Sequence, residues 1–130
     1  VRLPLVVAML FSATVLCCSN AYASWQACGV PVSTAPGSDQ FHICIASDGA
    51  GGAIVAWQDL RNGAGNSDIY AQKLDAIGMR SWTPGGVAVC TAGGSQDSVK
   101  IVADGTGGAI LTWQDSRSGS YDIYVQRVDA

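Results

Sequence analysis

Ser38, Asp39 and His42 place a hydroxyl, a carboxylate and an imidazole within five residues, the side-chain types that nucleophilic catalysis uses. A catalytic triad is defined by geometry in space, so closeness along the chain makes this cluster a candidate and no more. His42 is the only histidine. Two other arrangements invite chemistry. Asp59/Arg61 and Asp115/Arg117 repeat one carboxylate–guanidinium spacing, and Trp57 and Trp113 stand two residues before each acid. Residues two apart on a strand face the same side, so each acid and arginine reads as a pair beside a turn. An exposed tryptophan can stack on a sugar ring, but one that recurs at equivalent places is accounted for by packing between neighbouring units. A catalytic acid has no reason to occur twice in register. No phosphate-binding loop, dinucleotide fingerprint, nucleophile elbow or zinc-protease motif occurs.

The acidic residues share one chemistry. All ten are aspartate and none is glutamate. Aspartate favours turns because its short side chain bonds its own nearby backbone, whereas glutamate favours helices. Asp48/Asp104, Asp59/Asp115, Asp68/Asp122 and Asp75/Asp129 recur as pairs, which leaves only Asp39 and Asp97 outside the pattern. Oxygen-rich loops containing glycine can bind calcium, but neither copy matches an EF-hand loop or the nine-residue Gly-Asp calcium repeat. The expectation is therefore no cofactor and no metal, with calcium as the alternative. Cys28, Cys44 and Cys90 have no Cys-x-x-Cys spacing and a single histidine to join them, so they form no zinc site. In an oxidising compartment one pair could bridge, leaving at least one free thiol.

Behind these residues stands an internal repeat of 56 residues. The stretch 48–76, DGAGGAIVAWQDLRNGAGNSDIYAQKLDA, aligns with 104–130, DGTGGAILTWQDSRSGSYDIYVQRVDA, and 17 of 27 positions are identical. Identity at that level is far beyond chance and marks two copies of one supersecondary unit. Upstream, Trp25 with Gly29-Val30-Pro31-Val32 matches Trp82 with Gly86-Val87-Ala88-Val89. Each unit reads as four short strands: residues 30–33, 41–46, 53–58 and 68–74, matched by 87–91, 99–103, 109–114 and 122–128. The third strand is apolar on both faces (Ala53, Ile54, Val55, Ala56, Trp57) and must be covered on both sides. The intervening Asp-Gly, Gly-Gly and Asn-Gly pairs supply the positive φ that hairpins need. A sandwich of about seven strands has no reason to repeat at this period. A β-propeller blade is one four-stranded sheet, and stacked blades cover both faces of their inner strands. The fold expected is all-β, two four-stranded antiparallel blades of a partial propeller after an N-terminal signal helix. The repeats span 24–81 and 82–130, and the second is expected to be truncated, since it stops where the first continues Ile77-Gly78-Met79-Arg80.

The pattern Asp-Gly-x-Gly-Gly-Ala-Ile, Trp-Gln-Asp-x-Arg, Asp-Ile-Tyr-x-Gln and Asp-Ala resembles a repeat of secreted bacterial proteins of β-propeller type, distantly similar in shape to the sialidase and TolB-like groups. The resemblance extends over nearly all of residues 25–130. It implies six or more blades, with further blades in the same or neighbouring chains as partners. It carries over no catalytic residue, because the sialidase box Ser-x-Asp-x-Gly-x-x-Trp is not present. The residues that define the repeat are Asp48, Trp57, Asp59, Arg61, Asp68, Tyr70 and their counterparts Asp104, Trp113, Asp115, Arg117, Asp122 and Tyr124. Residues that do not repeat (Phe41, His42 and Lys100) are where a ligand would be met.

Residues 1–23 read as a secretory signal: Arg2, an apolar run from Leu3 to Leu16, and Ala21-Tyr22-Ala23 before a cleavage point. The run is shorter than the ~20 residues a membrane-crossing helix needs, and it contains Pro4. Six basic against ten acidic residues then remain, with no basic stripe for nucleic acid and no basic amphipathic stretch for a membrane surface. The expected role is a non-catalytic binding or scaffolding module in the periplasm, on the cell surface or secreted, with a carbohydrate or protein ligand. The alternatives are part of a larger glycan-processing enzyme, or a small lectin formed by oligomerisation.

Overall fold

The computed structural model describes residues 25–37 and 39–130, so the expected signal segment, residues 1–23, and Ser38 lie outside the described residues. Seven strands follow one another: β1 (Gln40–Ser47), β2 (Ala53–Asp59), β3 (Asp68–Leu74), β4 (Val87–Cys90), β5 (Gln96–Ala103), β6 (Ala109–Asp115) and β7 (Asp122–Val128). They form two antiparallel sheets, ordered β1-β2-β3-β4 and β5-β6-β7, and the described residues contain no helix. The described residues are all-β, in keeping with a turn-rich, glutamate-free composition.

The turn chemistry is visible at each hairpin. Asp48 closes the β1–β2 hairpin by accepting from Ala50 N and Gly52 N, both at 2.8 Å. Asp104 does the same between β5 and β6 with Thr106 N and Gly108 N, at 2.7 and 3.0 Å. These bonds hold the Asp104 carboxyl at about 2, and its contact with Arg127 adds to them. A side chain at Gly52 would run into Leu74 O, and one at Gly108 into Val128 O, so the Gly-Gly pairs are set by close backbone approach.

Two strand expectations need correcting. Residues 30–33 are not a strand, and the second sheet has three strands where four were expected. Both differences have one cause. Val87–Cys90, which opens the second repeat, pairs with β3 of the first (Ile69↔Cys90, Tyr70↔Ala88, Ala71↔Val87). Sheets are therefore offset from sequence repeats by one strand. Residues 30–33, the counterpart of that strand, have no β-partner among the described residues.

Ladder register assigns the faces. One face of the first sheet carries Ile54, Ala56, Ile69 and Ala71; it packs on Val99, Ala109, Leu111 and Trp113 of the second. The opposite face of the first sheet carries Val55, Trp57 and Tyr70, against which Val32 packs. This is why β2 is buried at every position. Burying a side chain of this size contributes about 1.5–3 kcal/mol.

Candidate functional site

Each sheet contains one buried polar unit built from repeat-defining residues. Asp59 closes β2 with no solvent exposure. Its Oδ2 accepts from Trp57 Nε1 at 2.8 Å and from Arg61 Nη2 at 2.7 Å; its Oδ1 accepts from the Arg61 backbone N and Nε at 2.9 and 3.0 Å. The Arg61 guanidinium lies 3.6 Å from the centroid of the Tyr70 ring, which stacks on Trp57. In the second sheet Asp115, Trp113, Arg117 and Tyr124 repeat the arrangement, with the guanidinium 4.0 Å from the ring centroid. Burial pushes the Asp59 pKa up, but the bonds from Arg61 and Trp57 outweigh it and hold the carboxyl at about 2. The Arg117 bond, opposed by burial, holds Asp115 lower still. Such an acid is an anion near neutral pH, with both oxygens engaged. It holds a corner of the sheet.

Asp68 behaves differently. Burial pushes its pKa up; Asn62 Nδ2 donates to Oδ2 at 2.6 Å, while Oδ1 is buried without a partner. Its counterpart Asp122 is exposed and bonded by Ser118 Oγ at 2.6 Å.

The non-repeated residues meet at a second place. His42 and Ser98 occupy equivalent positions in β1 and β5, each with positive φ (51° and 57°) where the ladder register shifts. Left-handed backbone at a non-glycine residue costs about 1–2 kcal/mol and re-aims the side chain. Between these two bulges lies a hollow of about 400 Å³, lined by His42, Ile43, Cys44, Ser98, Val99 and Lys100. The structure thus joins His42 and Lys100, two of the three residues singled out for ligand contact. Phe41, the third, stands edge-on to the His42 ring at 5.1 Å and does not line the hollow.

Behind the hollow runs a polar chain that the repeat pattern did not reveal. Asp97 Oδ1 accepts from Gln58 Nε2 and, at 3.1 Å, from Ser67 Oγ; its Oδ2 accepts from Tyr121 OH at 2.8 Å. Gln58 turns its Oε1 to His42 Nδ1 at 2.6 Å. With the amide N–H spent on the carboxylate, the carbonyl must face the ring, so Nδ1 carries the proton and Nε2 keeps its lone pair in neutral His42. The sequence signal for Asp97 was its place among the two acids outside the pairs.

Chemically the hollow offers a cation, an imidazole acceptor and a hydroxyl. It offers no activated nucleophile: the Cys44 thiol bonds to Ala56 O at 3.7 Å, and burial pushes its pKa up against the influence of Lys100. Cys28, Cys44 and Cys90 are all free thiols, with Cys28 exposed. Among the described residues no group of three or more His, Cys or Asp side chains is placed to hold a metal ion. Trp57 and Trp113 are both buried and offer no surface for a sugar ring. Comparisons with protein-family models, with curated proteins and with solved structures find no match to this chain.

Proposed function

We propose that the chain is a pair of β-propeller blades acting outside the cytoplasm as a non-catalytic binding or scaffolding module. The observation that carries this reading is the packing of two equivalently built sheets, one face of the first on the opposite face of the second, with the opening strand of the second repeat paired to the first. That relation can be repeated indefinitely around an axis, which is the geometry of a propeller. The absence of catalysis is supported by the use of the recurring acids. Asp48, Asp59, Asp104 and Asp115 are engaged in backbone, indole and guanidinium bonds. The apolar run and the Ala-Tyr-Ala site in residues 1–23 support export. A ligand would be met at the hollow of His42 and Lys100 by hydrogen bonding to an anionic or hydroxyl group.

The test is electron microscopy of the chain recovered from the periplasm or medium of an expression host. A ring of about six or eight blades from three or four copies is expected, with a central channel. An isolated compact monomer would overturn the propeller reading.

A further inference from the structure

The two bulged strands supply different halves of one chemistry. His42 and Ser98 are equivalent by position in the repeat, and so are Cys44 and Lys100. The hollow therefore takes an imidazole from the first copy and an ammonium from the second, at a place where the copies both differ and meet. All six lining residues belong to β1 and β5.

Each polar group there has a fixed demand. His42 Nδ1 is committed to Gln58 Oε1 at 2.6 Å, and Gln58 is held in that sense because its amide nitrogen donates to Asp97 Oδ1. Asp97 is fixed in turn by Ser67 Oγ at 3.1 Å and by Tyr121 OH at 2.8 Å. Nε2 is the nitrogen left for a ligand, and in the neutral ring it accepts and needs a donor. Lys100 needs an anion. Arg61, Arg117 and Arg127 are each paired with an aspartate, whereas no ion pair among the described residues involves Lys100. No carboxylate lines the hollow, and the Ser98 hydroxyl both donates and accepts. Ile43 and Val99 give it apolar wall.

These demands sort ligands by class. Sulfate has acceptors alone and sets an oxygen against the Nε2 lone pair. A neutral sugar supplies a hydroxyl but leaves the ammonium to water. An amino acid brings an ammonium of its own, for which the lining holds no carboxylate. A hydroxy acid meets both demands, and in a uronate a C–H face is added for Ile43 and Val99. The volume of about 400 Å³ lies at the small end of ligand pockets, which run from about 300 to 1,000 Å³, and suits a single ring.

We propose that the hollow between β1 and β5 binds a sugar acid, with its carboxylate on Lys100 and a ring hydroxyl donating to His42 Nε2. This rests on the hollow as the ligand site of the binding module and names the class of ligand.

The test is a ¹⁵N NMR titration of the full chain after export at about pH 8, where an ordinary imidazole is neutral. The probes are glucuronate, glucose, sulfate and a short polyuronate chain. Glucuronate is expected to move the His42 Nε2 resonance and to bind about ten-fold tighter than glucose or sulfate, the margin of one charge-assisted hydrogen bond. Lys100→Met is expected to remove the margin over glucose. His42→Gly is expected to weaken glucuronate by about ten-fold as well. Both substitutions change exposed side chains, and glycine suits the positive φ at position 42, so circular dichroism is expected to match the parent. Tighter binding of the polyuronate points to a polysaccharide source and equal binding to free sugar acids; either upholds the site. Glucose or sulfate binding as well as glucuronate overturns the proposal, as does a margin that survives Lys100→Met or an Nε2 resonance that stays still. Rings seen by microscopy without glucuronate binding sink this proposal alone. Glucuronate bound by a chain that forms no ring sinks the propeller reading alone.

Discussion

β3 and β7 carry nearly the same residues, Asp-Ile-Tyr-Ala-Gln-Lys-Leu and Asp-Ile-Tyr-Val-Gln-Arg-Val, and occupy opposite environments. β3 is an interior strand buried at six of its seven positions; no residue of β7 is fully buried. Strand formation is thus set by the residues and their cross-strand partners on β2 and β6. Burial is set by what lies against the sheet. The pair shows that an apolar strand marks a surface that packing can cover, and that the covering is a separate fact about neighbours.

The first way to sharpen the comparison is to attack what the two sheets share. Asp59→Ala and Asp115→Ala each leave an indole N–H and a guanidinium without their acceptor. Each is expected to cost about 3–5 kcal/mol in urea unfolding, with the two losses similar. A much smaller loss at Asp115 would mean that the unit depends on the completed outer strand. The same carboxylates fix the acid behaviour. Their pKa values are depressed, to about 2 at Asp59, so their stabilisation is present above the unfolded-state value and lost as pH falls. Melting temperature is expected to drop steeply between about pH 4 and pH 2.

The second attacks what the sheets do not share. Ile69→Ala removes a wholly buried side chain and is expected to cost about 2–5 kcal/mol. Ile123→Ala, measured in dilute single copies, is expected to stay within about 0.5 kcal/mol. Equal losses would mean that the back of the second sheet is covered in the isolated molecule. Third, Gly86→Ala drives a Cβ into Trp57, whereas Gly29→Ala meets open space, and both carry positive φ. In single copies the first is expected to be worse by about 1–3 kcal/mol, since overpacking adds to the shared backbone strain. The smallest effect concerns Asp68→Asn, which keeps an oxygen to accept from Asn62 Nδ2 and removes a charge that burial disfavours. A stabilisation of about 0.5–1 kcal/mol is expected, with no change for Asp122→Asn.

Much of the architecture is legible in the sequence because it is local. The alternation in residues 68–74, the apolar run 53–57 and the Gly-Gly turns each act over a few residues, and the repeat states them twice. Ownership of Val87–Cys90 is not local. The same alternating residues could pair with the strand before them or the strand after, and only the stacking of sheets decides. The Trp57–Asp59–Arg61–Tyr70 unit was half legible. The acid–arginine pair follows from spacing, but Tyr70 enters across a ladder whose register the sequence leaves open. The His42–Gln58–Asp97–Tyr121 chain was not legible because it crosses between sheets and occurs once.

The one-strand offset between repeat and sheet has a consequence for how such a chain can change length. Tandem duplication of the 56-residue unit inserts a complete four-stranded sheet, because the opening strand of each added unit can complete the sheet before it as Val87–Cys90 completes the first. No new packing surface has to be invented for the added sheet, since the face that covers it and the face it covers are already paired once. A chain lengthened or shortened by whole units therefore keeps the same kind of sheet at each end.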